Sequence, residues 1–188
     1  MASADQAADP VLSVIVPTYN ECENIARLVG ARKVFELGSG YGYSTAWFAR
    51  AVQDNGGGVV HHVVWDEGLS QTARGHLERL GFGTIVKYTV GEAVQALRES
   101  EGSYDLIFND IDKQGYPGSL DVIADKLEIG GVLITDNALW GGRVMERTSN
   151  DADTQAIREF TEMVTSDPDW IVSIVPIRDG LLVAYKQK

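Results

Sequence analysis

From Lys33 onward the chain alternates short, nearly continuous apolar runs with stretches whose apolar residues recur at helical spacing. The apolar runs predict strands at Val34–Leu37, Val59–Val64, Thr84–Tyr88, Tyr104–Phe108, Val132–Thr135, Trp170–Val175 and Leu181–Lys186. The periodic stretches predict helices over Tyr43–Val52, Gly68–Leu80, Glu92–Glu99, Ser119–Leu127 and Thr154–Val164. In the second of these, Leu69, Ala73, Leu77 and Leu80 share one face; in the last, Ile157, Phe160, Met163 and Val164 do. Regular strand–helix alternation implies an α/β fold with a parallel sheet covered on both faces. The last two strands are joined by the short turn Arg178-Asp179-Gly180, so they add an antiparallel edge.

Residues 1–29 stand outside this alternation and are read as an atypical amino-terminal tail, strand and helix preceding a domain over 30–188. Val11–Val16 reads as an additional strand stopped by Pro17. Asn20 is placed to cap a helix over Glu21–Val29, with Glu23 as its capping-box partner.

The 188 residues suit one domain, and 44% hydrophobic and 23% charged residues are ordinary for a globular chain. The net charge of −11 argues against a nucleic-acid partner, because phosphate recognition needs a basic face. The single cysteine, Cys22, excludes an internal disulfide and suits a reducing compartment. No apolar stretch approaches the roughly 20 residues of a membrane span, and the polar start lacks the order of a signal peptide. A cytoplasmic protein without a membrane partner is expected.

Candidate chemistry gathers where strands end, since ligands of open α/β sheets bind beyond the carboxyl ends of the strands. After Tyr104–Phe108 comes Asn109-Asp110-Ile111-Asp112-Lys113; after Val132–Ile134 comes Thr135-Asp136-Asn137. Neighbouring strand ends would bring Asp110, Asp136 and Asn137 together as hard oxygen ligands for a divalent cation, with Lys113 as a base and Asp112 a bystander. Taken singly, each of these residues is as well explained as a turn or surface residue. After the first strand of the alternation, Glu36-Leu37-Gly38-Ser39-Gly40-Tyr41-Gly42-Tyr43-Ser44 forms a glycine-rich turn into a helix. The turn suits an adenosine-type ligand, although it lacks the dinucleotide fingerprint and a phosphate-binding lysine. Asp66, just past the second strand, is a candidate for ribose hydroxyls, and Gly91-Glu92-Ala93 either edges an adenine ring or merely starts a helix. His61 and His62 are adjacent in a strand and point to opposite faces, so they cannot form a compact ligand pair. His76 is expected exposed, and Trp47, Trp65 and Trp170 are expected to be packing residues.

These segments, from Val34–Ser44 through Gly91-Glu92-Ala93 and the D-I-D-K run to Asp136-Asn137-Ala138-Leu139-Trp140-Gly141-Gly142, resemble the cation-dependent O-methyltransferases of the catechol and caffeoyl-CoA type. The resemblance covers residues 30–188. It implies a Rossmann-like class I methyltransferase fold with a mostly parallel seven-stranded sheet. It implies S-adenosylmethionine as methyl donor, Mg²⁺ or another divalent cation, and a small hydroxylated, catechol-like acceptor. Under it Asp110, Asp136 and Asn137 are the metal ligands and Lys113 the general base. Glu36, Gly38, Ser39, Gly40, Tyr41, Ser44, Gly91, Glu92, Ala93, Asp110 and Trp140 fall at cofactor positions. Where the family carries a ribose-binding glutamate this chain has Val64, and Asp66 is the substitute two residues on. The family's amino-terminal helices also cover the cofactor and form a dimer contact. A homodimer is therefore compatible, and a reduced cover would give a cofactor-binding protein with impaired catalysis.

The segment Leu12–Glu21, with Glu23-Asn24-Ile25, resembles instead the opening strand of family 2 glycosyltransferases, enzymes that use a D-x-D motif and a nucleotide-sugar donor. Asp110-Ile111-Asp112 meets that motif by letter, but Lys113 and the Asp136-Asn137 pair fit the methyltransferase pattern better.

Overall fold

A computed structural model describes residues 21–188. The strand predicted at Val11–Val16, the tail before it and the Asn20 cap lie outside the described residues. The chain runs α1 (Glu21–Leu28), β1 (Lys33–Leu37), α2 (Tyr43–Asp54), β2 (Val59–Val64), α3 (Glu67–Arg79), β3 (Val86–Val90) and α4 (Ala93–Glu99). It continues through β4 (Tyr104–Asn109), α5 (Tyr116–Lys126), β5 (Leu127–Thr135), α6 (Ala152–Ser166), β6 (Trp170–Val175) and β7 (Leu181–Lys186). The strands form one seven-stranded sheet in the order β3-β2-β1-β4-β5-β7-β6. β1 to β5 are mutually parallel, and β7 runs antiparallel to both β5 and β6. The expected class I methyltransferase topology is therefore present.

The central strands read as continuous apolar runs because both faces are buried. Side chains still alternate with the pleat. Val34, Leu106 and Ile134 join one core with Ala26, Phe48, Val52 and Leu77 from α1, α2 and α3. Phe35, Ile107 and Leu133 join the other with Leu97, Ile123 and Phe160 from α4, α5 and α6. Ala26 of α1 is fully buried, so that helix is a packed part of the domain although the sequence pattern set it apart.

Helix starts are fixed by carboxylates. Asp66, Glu92 and Asp151 accept from backbone N–H groups in the first turns of α3, α4 and α6. α5 begins at Tyr116, earlier than the predicted Ser119, because Pro117 fits a first helical turn that needs no N–H from it. β3 starts and ends two residues later than its apolar pattern suggested, and β5 starts at Leu127, which the helical pattern had claimed.

Strand order reverses between β1 and β4, so the chain leaves these neighbours toward opposite faces and opens a crevice at their carboxyl ends. Backbone hydrogen bonds carry the ladder one step past the strands. Asp110 N donates to Leu37 O, Asp136 N to Asn109 O, Ser39 N to Val63 O and Gly91 N to Val64 O. The glycine turn, Asp110 and Asp136 are thereby held at fixed positions along one rim.

Candidate active site

Two cavities open at that rim. The larger, about 830 Å³, is lined by Gly38, Gly40, Gly91, Ala93, Asp110, Lys113 and Trp140 among the residues singled out by sequence. The smaller, about 170 Å³, is lined by Ser44, Asp110 and Asp136, with Tyr43, Trp47 and Phe108 from α2 and β4, Cys22 from α1, and Arg178. Asp110 borders both.

The glycines explain the shape of the larger cavity. Gly38 has φ +87°, and a Cβ there would lie 2.9 Å from the backbone carbon of Asp110, so only glycine lets the two loops touch. A Cβ on Gly40 or Gly91 would meet nothing within 4 Å, and so would project into open space. That space is what an adenosine-type cofactor lying over the turn requires.

Several other expected cofactor residues have structural duties. Glu36 is fully buried and lies outside the lining of either cavity; its carboxylate accepts from the hydroxyls of Ser44 and Thr45, and Thr45 pairs in turn with His62 Nδ1 at 3.0 Å. Burial raises the Glu36 carboxyl, and the hydroxyl donors work against that rise. Ser39 is buried and ties the carbonyl of Glu36 to the N–H of Val63, stiffening the turn from beneath. Tyr41 is 64% exposed and lines neither cavity. Asp66 and Glu92 are the helix caps already described and are not among the lining residues, whereas Val64 and Trp65 are.

Two tryptophans correct the sequence reading. Trp65 is 70% exposed on the wall of the larger cavity, and Trp47 lies on the smaller one, edge-on to Tyr43. Neither is a core residue; Trp170 is. An aromatic immediately beyond a strand end was the available signal for Trp65. Asp112, expected to be a bystander, also lines the larger cavity, as do Gln114 and Asp153, which no sequence motif marks. His62 is buried and His61 stacks on Phe35, on opposite faces as expected; His76 is exposed.

Lys113 opens a short 3₁₀ turn and is nearly buried. Its ammonium donates to Asp110 Oδ1 at 2.9 Å, the Tyr116 hydroxyl at 2.8 Å and the Ile111 carbonyl at 3.3 Å. The Tyr116 hydroxyl donates to the Asp136 carbonyl, and burial first, then the carboxylates of Asp110, Asp136 and Asp179, hold it protonated. Asp136 is shifted upward, mainly by burial and further by Asp110, with the Asn137 N–H opposing. Two carboxylates repelling one another on one small cavity, with an amide oxygen in the adjacent residue, form a donor set that suits a hard divalent cation. Asn137 adopts a left-handed backbone, φ 54°, and its side-chain N–H group donates to Asp179, which the sequence reading placed only in a turn.

The profile of the O-methyltransferase family matches residues 14–187. A catechol O-methyltransferase from Niastella koreensis is 28% identical over 191 residues, covering 97% of this chain and 86% of that protein. The crystal structure of an O-methyltransferase from Bacillus cereus in complex with SAH superposes with a TM-score of 0.81 at 30% identity, over 90% of this chain and 82% of that one. TomG, the Streptomyces achromogenes O-methyltransferase involved in tomaymycin synthesis and solved with SAM, gives 0.81 at 27% identity, over 88% and 78%. The chain belongs to the O-methyltransferase family, as an S-adenosylmethionine-dependent member.

Proposed function

We propose that this protein methylates a hydroxyl of a small, catechol-like acceptor bound in the smaller cavity, with a divalent cation held by Asp110, Asp136 and Asn137. The observation that carries this reading is the position of Asp110 on both cavities, which makes the cofactor cleft and the cation site neighbours. When bound, S-adenosylmethionine supplies the methyl group, and Mg²⁺ supplies a Lewis acid that favours the ionised acceptor hydroxyl.

The protein's own part is orientation and proton handling. Gly38, Gly40, Gly91 and Ala93 keep the larger cavity open to the cofactor, and Trp65 and Trp140 wall it. Tyr43, Trp47 and Phe108 give the smaller cavity flat apolar walls that suit an aromatic ring and displace water from it. Lys113 Nζ is the group assigned to take the hydroxyl proton. In the arrangement described it is a donor to three oxygens, so it accepts only after one of its own protons has left. Its contact with Asp110 supports a proton exchange close to the proposed cation ligands. Asp66 remains the proposed ribose contact through the carboxylate oxygen that does not cap α3.

The test is methyl transfer from labelled S-adenosylmethionine to a panel of vicinal dihydroxy aromatics, with and without chelator. Turnover that chelator abolishes and Mg²⁺ restores supports the proposal; full turnover in chelator refutes it.

A further inference from the structure

Asp179 lies in the β6–β7 turn, remote in sequence from the candidate cation ligands, yet it is fastened to the loop that carries one of them. Its carboxylate accepts from the Asn137 side-chain N–H at 3.2 Å through one oxygen and from the Gly141 backbone N–H through the other. Its carbonyl accepts from Leu139 N at 2.8 Å, and the carbonyl of Gly180 accepts from Ala138 N at 2.9 Å. Gly180 has φ +81°, and a Cβ there would come within 3.0 Å of Leu139 N, so glycine is what lets the turn seat this closely.

An amide side chain can offer either nitrogen or oxygen by a half-turn about its last bond. A carboxylate whose two oxygens both accept can only take the nitrogen. We propose that Asp179 is a positioning residue for the cation site: by engaging the Asn137 amide nitrogen it selects the rotamer that leaves the amide oxygen as the arm available to a divalent cation. The Gly141 N–H holds the carboxylate in place for that task. The inference rests on the cation reading above. It assigns to the β6–β7 turn a part in metal affinity that none of its residues has by contact with the cation itself.

Asp179→Asn keeps the side chain's shape but can present either a donor or an acceptor to Asn137, so the rotamer is no longer selected. The expected result is Mn²⁺ affinity weakened by about 10-fold or more, read from the electron paramagnetic resonance signal of free Mn²⁺. Affinity for S-adenosylhomocysteine stays at the wild-type value, because Asp179 lines neither cavity. In an Asn137→Ala background the same Asp179→Asn change costs no further Mn²⁺ affinity. Mn²⁺ affinity unchanged by Asp179→Asn overturns the inference, as does an equal loss in both backgrounds. An equal fall in S-adenosylhomocysteine affinity overturns it too, since that marks a general structural support. Wild-type protein that binds no Mn²⁺ overturns the cation reading itself, a distinct outcome.

Discussion

Replacing Gly38 by alanine tests the claim that the cofactor turn and the shared carboxylate are held together by backbone contact. At φ +87° an L-residue costs about 1–2 kcal/mol. The new methyl would sit 2.9 Å from the backbone carbon of Asp110 and closer still to its carbonyl oxygen, and 3.3 Å from Ile111 N. Those neighbours are backbone atoms hydrogen-bonded to β1 through Asp110 N, so they yield only by moving the strand end, and overpacking of this kind costs about 1–3 kcal/mol. The sum, about 2–5 kcal/mol, lowers the melting temperature by at least about 4 °C in a chain of this size. Because the displaced atoms carry Asp110, affinity for S-adenosylhomocysteine falls as well. Gly40→Ala is the control: its φ is also positive, at +49°, but its methyl meets nothing within 4 Å, so it suffers the conformational cost without the clash. Calorimetric melting of the pair decides the matter, with a ligand titration of Gly38→Ala against wild type beside it. A Gly38→Ala protein that melts like Gly40→Ala would refute the contact argument.

Other outcomes follow from the same geometry. Lys113→Ala lowers kcat by about 10²–10⁴-fold while S-adenosylhomocysteine still binds, and steady-state kinetics beside a binding titration checks both halves. Burial holds His62 down at about 4, with the unfolded value near 6.5, so its contribution to stability is complete above about 6.5 and is lost as pH falls toward 4. His61, also held near 4 by burial and by Lys87, acts in the same direction. Glu36, raised by burial, acts oppositely, its contribution being full at low pH and lost as pH rises through its folded value. Urea midpoints at pH 7 and pH 5 should therefore differ less for His62→Asn than for wild type; equal differences would count against the assignment. Arg158 donates to the carbonyls of Arg143, Val144, Glu146 and Ser149, so Arg158→Ala should speed tryptic cleavage after Arg143 and Arg147, and an unchanged cleavage rate would contradict that role.

The sequence by itself determined the order of elements and which polar residues stand at the carboxyl rim of the sheet. Strand runs such as Tyr104–Phe108 declare themselves because burial on both faces demands continuous apolar residues, and polar groups that follow them fall at the carboxyl rim whatever the packing. The positions of Asp110, Asp136, Asn137 and Lys113 beyond the strand ends were legible for that reason. Local pattern has no access to depth, however. Glu36 and Trp65 stand at comparable strand ends, yet one is sealed beneath the turn by Ser44 and Thr45 and the other is largely exposed on a cavity wall. Only the tertiary structure decided that Asp110 serves two cavities, that Asp66 and Glu92 cap helices, and that Asp179 reaches across 42 residues of chain to the amide of Asn137. The reason is physical: a hydrogen bond between the ends of non-consecutive strands depends on sheet order and register, which long-range packing sets and no local spacing records.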